Sequence, residues 1–149
     1  MVIHNISLPP GEFGGPYIED LFLNRLHPGA HPYFAGIAAL EVSAHFLVRR
    51  DGQVIQFVDT DKRAWHAGVS KWHGRERVND FSIGIEMEGT DDRAFEDAQY
   101  AALNDLLADL FKRYGKLPLT GHSDVAPDRK TDPGPHFDWS RVSPPQGSL

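Results

Sequence analysis

Residues 121–134 contain the side chains in this sequence that are best suited to chemistry, namely His122, Lys130 and Asp132. Prolines and glycines interrupt the segment and almost all of its other residues are polar, so we expect a loop rather than part of the core. Neutral imidazole and carboxylate groups are good Zn²⁺ ligands, and a lysine beside them can stabilise developing negative charge. Taken alone, the segment is equally typical of a solvated loop.

The first residues of the chain place a histidine near the end of a predicted strand. Val and Ile flank His4 and Asn5, and the Pro-Pro-Gly at residues 9–11 ends the apolar run, a pattern that predicts a short β-strand. In α/β proteins the carboxyl ends of strands commonly carry ligand-binding residues. On its own, His4 is also typical of a half-buried histidine that is hydrogen-bonded to the backbone.

A further predicted strand, within residues 80–89, carries a carboxylate in its middle. Side chains alternate between the two faces of a strand. One predicted face is apolar and consists of Ile83, Ile85 and Met87. The other face carries small and acidic residues, namely Ser82, Gly84, Glu86 and Glu88. Small residues that lead to a carboxylate suit the floor of a cleft. A carboxylate without a purpose is costly to hold at the position of Glu86, whereas Glu88 also fits an ordinary solvent-facing strand end.

His4, His122 and Asp132 are the candidate metal ligands and come from distant parts of the chain. Catalytic zinc typically has three protein ligands and one open position for water, whose pKa it lowers to about 7. Glu86 would accept the proton of the attacking water and pass it to a leaving nitrogen. In an extended segment, Lys130 and Asp132 share one side, so Lys130 would face a developing oxyanion. Together these residues suit the hydrolysis of an amide.

The remaining histidines are weaker candidates. Four of them stand beside Gly or Pro in predicted loops and are expected at the surface: His27, His31, His73 and His136. His45 falls in a predicted strand and is expected to be a structural histidine. His66 lies between Trp65 and an Ala-Gly pair, and it fits a pocket-lining residue and a structural one equally well.

Composition limits the possible classes of function. A chain of 149 residues with 40% hydrophobic and 24% charged residues is typical of one globular domain, which we place at residues 1–142. The net charge of −6 opposes a nucleic-acid partner and adhesion to an anionic membrane. Without cysteine there is neither a disulfide nor a thiolate metal site. We see no signal peptide and no membrane span, which predicts a cytoplasmic protein.

The predicted elements alternate between strands and helices and indicate an α/β fold with a central mixed β-sheet flanked by helices. Helices are predicted at residues 17–26, 32–40 and 95–114, the last with regularly spaced leucines and a glycine after it. Strands are predicted at residues 43–49 and 54–59, joined by an Asp-Gly turn. Residues 143–149 are rich in Pro, Gly and Ser and are predicted to form a disordered tail.

Four motifs, in this order, resemble one known family. They are residues 2–11, residues 63–68, residues 81–86 and residues 121–134. The chain resembles the N-acetylmuramoyl-L-alanine amidases of the amidase-2 family, which share their fold with peptidoglycan-recognition proteins. It is most similar to the cytosolic 1,6-anhydro-N-acetylmuramyl-L-alanine amidases of cell-wall recycling. The similarity extends from His4 to Trp139.

The resemblance implies a zinc ion held by His4, His122 and Asp132, with Glu86 as the general acid/base and Lys130 as the transition-state stabiliser. The implied fold is a mixed sheet of five or six strands with flanking helices. The implied substrate is a small muropeptide, from which the enzyme removes the stem peptide by cleaving the lactyl–L-alanine amide. We expect the protein to be a monomer.

Substrate contacts are implied by the same resemblance for Asn5, Arg77 and the backbone near Ala126. Each of the three also fits an ordinary loop or strand-end residue. Trp65 and His66 are predicted as further substrate contacts, on the pocket-lining interpretation of their motif.

The chain departs from its presumed relatives at two points. Such relatives usually carry a segment ahead of the first strand, whereas His4 here follows only three residues, so we expect weaker protection of the sheet edge. They also tend to have an arginine where this chain has Glu41, so binding of the peptide's far end is expected to be weaker or arranged differently. A non-catalytic peptidoglycan-recognition module and a zinc amidase of intact wall are the alternatives, and the first typically lacks a zinc ligand or the acid/base pair.

Overall fold

A five-stranded mixed β-sheet forms the centre of the fold in the computed structural model, which describes residues 1–142. The strands in chain order are β1 (Val2–Ile6), β2 (Phe46–Val48), β3 (Val54–Gln56), β4 (Lys71–Trp72), β5 (Arg75–Glu76), β6 (Gly84–Glu88) and β7 (Thr120–Gly121). The sheet order is β3-β2-β6-β1-β7, and β4 and β5 form a separate hairpin. Within the five-stranded sheet, β3 is antiparallel to β2 and the other neighbouring strands pair in parallel. The predicted α/β fold with a mixed sheet is confirmed, and the predicted tail lies outside the described residues.

One face of the two neighbouring strands β1 and β6 packs into the main hydrophobic core. They pair in parallel, and Ile3 is opposite Ile85 in the register. These two residues and Met87 are fully buried and belong to the main hydrophobic core. The predicted apolar face of β6 therefore packs into the core, and the alternate side chains point to the other side of the sheet.

The long helix α2 (Asp97–Tyr114) supplies the other half of that core. Glu96 and Gln99 form a capping box at its start, so the helix begins two residues later than the sequence predicts. Leu103 and Leu107 are fully buried against the sheet. Gly115, with a φ of 77°, follows the last helical residue, as expected for a residue that must leave the helix in a left-handed conformation.

The opposite face of the sheet is covered by a smaller apolar cluster. Helix α1 (Tyr17–Phe22) and a 3₁₀ turn (Pro32–Gly36) pack there, with Phe34 fully buried. Both are shorter than the predicted helices at residues 17–26 and 32–40. The first ends early because Asn24 adopts a left-handed conformation with a φ of 58°. The second is a 3₁₀ turn that ends at Gly36, and it is followed by a single α-type hydrogen bond, from Ala38 N–H to the Phe34 carbonyl.

The predicted hairpin is confirmed, although its strands are shorter than expected. Gly52 has a φ of 88° and its N–H donates to the carbonyl of Arg49, which closes the turn between β2 and β3. Only three residue pairs form between β2 and β3, so the outer residues of the predicted ranges 43–49 and 54–59 are not among the paired residues.

Glu88 is not the solvent-facing strand end that the sequence suggested. Its side chain is buried and accepts hydrogen bonds from the Arg49 guanidinium at 3.1 Å, from Gly14 N–H at 2.9 Å and from Arg50 N–H at 3.0 Å. Arg49 also pairs with Glu19 of α1 at 2.7 Å. This buried network joins the end of β6 to the glycine-rich loop and to α1, so its role is structural.

Candidate metal centre and cleft

The candidate ligands are brought together by two neighbouring parallel strands, β1 and β7, and by the loop that carries Asp132. His4 lies on β1, and His122 is the first residue of a one-turn helix, α3 (His122–Val125), that directly follows β7. Asp132 is held at this point because Ser123 N–H donates to its carbonyl at 2.9 Å. Two neighbouring parallel strands and one loop therefore bring His4, His122 and Asp132 together, as expected for candidate ligands from the first strand and from residues 121–134.

The three ligand atoms form a compact triangle. His4 Nδ1 and His122 Nδ1 are 2.9 Å apart, and each lies 3.2 Å from a carboxylate oxygen of Asp132. Metal–ligand distances of about 2.0–2.1 Å in a tetrahedral site imply ligand-to-ligand distances of roughly 3.3 Å. The observed triangle is close to that size, with one tetrahedral position left open. Two imidazole nitrogens and a carboxylate are a donor set that suits Zn²⁺.

The protonation states of the triangle favour metal binding. Burial lowers the pKa of His4, an effect that its hydrogen bond with Asp132 partly opposes. Burial raises the pKa of Asp132, but hydrogen bonds from His122 and His4 outweigh this effect and leave its pKa below the ordinary value. The site therefore holds a neutral imidazole and an ionised carboxylate, the forms in which these groups bind metals.

Glu86 stands beside the triangle on the same face of the sheet. It is the register partner of His4 on β1 and of Leu47 on β2. Its Oε1 lies 3.8 Å from His4 Nδ1, and its buried Oε2 has no hydrogen-bond partner among residues 1–142. Burial, and next the charge of Asp132, raise the pKa of Glu86 well above its usual range, while Lys130 opposes the shift. Such a carboxyl is suited to taking up a proton near neutral pH.

A cleft of about 390 Å³ opens over these residues. His4, Glu86, His122, Asp132 and Lys130 all line it, so the predicted metal and catalytic residues share one cavity. Three partly exposed apolar side chains form part of its wall: Tyr33, Leu40 and Trp65. A charged floor under an apolar wall fits a ligand with one polar, reacting part and one larger body.

Some of the predicted substrate-contacting residues line the cleft and others do not. Trp65 lines the cleft and is half exposed. Asn5 also lines it, but its amide donates to Asp91 Oδ1 at 2.6 Å and to the Pro133 carbonyl at 3.1 Å. Ala126 is buried, and its carbonyl accepts from Arg129 and Lys130 N–H. Arg77 is exposed just before a 3₁₀ turn (Val78–Asp80) and is not among the residues that line the cleft.

His66 reaches the cleft, but its ring lies mainly behind His4. Its Nδ1 is 2.9 Å from His4 Nε2, and its Nε2 is 3.0 Å from Ser82 Oγ. Burial, and next the neighbouring histidines, lower the pKa of His66 well below its usual range. His122 is supported similarly, because its Nε2 is 3.0 Å from the carbonyl of Ala67.

Several supporting residues could not be found from the sequence pattern. Arg129 donates to the Ala67 carbonyl at 2.6 Å, and Asp91 accepts hydrogen bonds from both Asn5 and Thr131. Their only signal was proximity in sequence to the motifs. Gly84 is different, since the sequence already indicated small residues beside Glu86, and its backbone lies against the ring of His66.

The other histidines are placed much as predicted. His45 is fully buried and satisfied: its Nδ1 accepts from Gly84 N–H, and its Nε2 lies 2.7 Å from the Lys62 carbonyl. His27, His73 and His136 are exposed. His31 is half-buried and caps the Pro32–Gly36 turn by accepting from Tyr33 N–H. None of the five belongs to the ligand triangle.

No helix within residues 1–142 combines the length and the apolar character that crossing a lipid bilayer would require.

Known proteins resemble this chain over nearly its whole length. The family model described as N-acetylmuramoyl-L-alanine amidase matches residues 1–135. The 1,6-anhydro-N-acetylmuramyl-L-alanine amidase AmpD of Citrobacter freundii is 63% identical over 143 residues, which are 95% of this chain and 76% of the relative.

Solved structures agree with this similarity. The crystal structure of a selenomethionine AmpD derivative superposes with a TM-score of 0.93 at 63% identity, covering 95% of this chain and 80% of that one. The amidase AmiD from E. coli, in complex with anhydro-N-acetylmuramic acid-L-Ala-D-γ-Glu-L-Lys, superposes with a TM-score of 0.70 at 32% identity, covering 95% of this chain and 54% of that one.

Proposed function

Since the chain belongs to the family of N-acetylmuramoyl-L-alanine amidases, we propose that it hydrolyses the amide between the lactyl group of 1,6-anhydro-N-acetylmuramic acid and L-alanine, using zinc held by His4, His122 and Asp132. The observation that carries the proposal is the ligand triangle with Glu86 beside it, all within one cleft. The reaction releases the stem peptide and belongs to the recycling of cell-wall fragments.

Different residues of the chain have different roles in the proposed amide hydrolysis. When bound to the triangle, Zn²⁺ supplies Lewis-acid polarisation and makes water acidic enough to lose a proton near neutral pH. Glu86 takes up that proton at Oε1, which lies 3.8 Å from His4 Nδ1, and returns it to the leaving nitrogen of L-alanine. Its raised pKa lets it hold the proton between the two steps.

Lys130 stabilises the charge that develops on the carbonyl oxygen. It lines the cleft beside the ligands, and its charge opposes the pKa shift of Glu86, so its ammonium group acts on this site. The negative charge of the tetrahedral transition state forms in a partly buried cleft, where a fixed cation is more effective than in water.

The preference for anhydromuropeptides is proposed from the relatives. AmpD is named for 1,6-anhydro-N-acetylmuramyl-L-alanine, and AmiD was solved with an anhydromuramyl tripeptide. In this chain, Trp65 and the other exposed apolar residues of the cleft wall offer a surface for a sugar ring. We place the enzyme in the cytoplasm as a monomer, acting on small muropeptides without a nucleic-acid or membrane partner.

The test is to incubate zinc-loaded protein with an anhydromuropeptide and, separately, with intact wall, and to detect free stem peptide by mass spectrometry. Release from the anhydromuropeptide alone is expected. Release from both would instead indicate an amidase of intact wall. Binding of muropeptide without release, in protein that contains zinc, would favour a non-catalytic recognition module.

A further inference from the structure

Both candidate histidine ligands direct their outer ring nitrogens at two consecutive residues. His4 Nε2 lies 2.9 Å from His66 Nδ1, and His122 Nε2 lies 3.0 Å from the carbonyl of Ala67. Groups that contact a ligating imidazole from behind fix its tautomer and its orientation. The two histidines of the triangle therefore share one support, the backbone and side chain of residues 66–67.

We propose that His66 is a positioning residue for the metal site: it accepts a hydrogen bond from His4 Nε2–H and thereby leaves His4 Nδ1 unprotonated and directed at the metal. The inference rests on the metal site proposed above. It assigns His66 a role different from the substrate contact that its motif suggested.

The direction of this hydrogen bond follows from the proposed ligation through His4 Nδ1, which must be unprotonated to bind the metal. A neutral imidazole has one donor and one acceptor nitrogen. His4 then carries its proton on Nε2 and donates it to Nδ1 of His66. The proton of His66 is therefore on Nε2, which is 3.0 Å from Ser82 Oγ, a hydroxyl that can accept it. In the series of hydrogen bonds from His4 through His66 to Ser82, each donor then faces an acceptor.

The ring of His66 has little freedom to leave this position. A Cβ atom at Gly84 would lie 2.6 Å from its Cδ2 and 2.7 Å from its Nδ1, so the ring packs directly on the strand backbone. The backbone of the motif is fixed as well, because Asn79 Oδ1 accepts from the N–H groups of His66 at 3.1 Å and of Ala67 at 2.9 Å. A buried ring that packs on the strand and has a fixed backbone can transmit a fixed orientation to His4.

The matched variants His66→Asn and His66→Leu test the proposal, because the two new side chains share one branched shape and only asparagine keeps an acceptor near the position of Nδ1. We expect His66→Leu to weaken zinc binding roughly 10- to 100-fold and His66→Asn to weaken it clearly less. The dissociation constants would be measured by competition with a chromogenic chelator. The ¹⁵N shifts of the histidine rings in zinc-loaded wild-type protein should show a proton on His4 Nε2.

Equal zinc dissociation constants in the two variants, or zinc bound to His4 through Nε2, would overturn the inference. Ser82→Ala keeps the His66 ring and serves if the His66 variants do not fold: an unchanged dissociation constant there would also overturn it. His136→Leu, at an exposed histidine, is the control and should bind zinc as the wild type does. Wild-type protein that binds no zinc would contradict the proposed function itself, a result distinct from variants that merely fail to differ.

Discussion

His4 and Glu86 are register partners on the adjacent parallel strands β1 and β6, and His4 Nδ1 lies 3.8 Å from Glu86 Oε1. Residues opposite each other in a parallel pair point to the same face of the sheet. The pairing that builds the core on one face therefore sets a candidate metal ligand beside a carboxylate on the other. A shift of β1 by one residue in this register would turn His4 into the core, away from Glu86.

Replacing Glu86 with glutamine should remove most activity and leave zinc in place. The amide has nearly the shape of the carboxyl but cannot carry the proton, so we expect kcat to fall by roughly 10²- to 10⁴-fold. Turnover of an anhydromuropeptide and zinc content by mass spectrometry would be measured together. Glu12→Gln is the control, since Glu12 is exposed and lies outside the cleft lining. Near-normal turnover in Glu86→Gln would remove Glu86 from the mechanism.

Replacing Asp132 with alanine should release the metal. The carboxylate supplies one corner of a triangle whose other two corners are histidines, and its loss leaves only two protein ligands. We expect little zinc after dialysis and no measurable turnover. Asp128→Ala lies in the same segment at an exposed position and should retain both. An Asp132→Ala protein that kept its zinc and its activity would contradict the ligand assignment.

Replacing Lys130 with methionine should act on the chemical step more than on binding. The long apolar side chain is kept and the charge is lost, so kcat should fall by roughly 10²-fold or more while KM changes little. Zinc content should be unchanged. Steady-state kinetics with an anhydromuropeptide separate the two constants, and Lys116→Met at an exposed site is the control. An effect confined to KM would make Lys130 a residue that binds the ground state.

The ligand triangle was predictable because each of its members carries a local signal. His4 stands in a recognisable strand, and His122 and Asp132 stand in a polar segment that cannot be core. The supporting contacts have no such signal. His66 meets His4 across 62 positions of sequence, and Ala67 meets His122 across 55. Residues 66 and 67 lie in the connection between β3 and β4, and only the tertiary fold brings this connection against β1 and α3.

Glu88 illustrates a second limit of the sequence. A glutamate at the end of a strand is normally solvated, and its pattern does not reveal the partner that allows burial. That partner, Arg49, lies 39 positions away, and two backbone N–H groups complete the shell. Helix ends were misjudged for a local reason, since apolar spacing continued past Phe22 although Asn24 had already turned into the left-handed region.

The buried pair of Arg49 and Glu88 should dominate the electrostatic contribution to stability. Replacing Arg49 with methionine leaves a buried carboxylate without its cation, which should lower the free energy of unfolding by about 3–5 kcal/mol. Arg25→Met breaks the more exposed pair with Asp20 and should cost at most about 1 kcal/mol. Urea denaturation of the metal-free proteins measures both. Similar losses in the two variants would mean that burial adds nothing to the Arg49 pair.

Reversing the charge at Glu41 should improve binding of the stem peptide. Glu41 is exposed and its two chain neighbours, Leu40 and Val42, line the cleft, so we expect its charge to repel the carboxylates of a peptide that enters there. We expect Glu41→Arg to lower KM several-fold with kcat unchanged, and the gain to shrink at 0.5 M salt because charges this exposed are screened. Glu12→Arg, at an exposed site outside the cleft lining, adds the same charge elsewhere and is the control. An equal fall in KM in both variants would show a general effect of net charge, and no fall in Glu41→Arg would show that the peptide does not pass this residue.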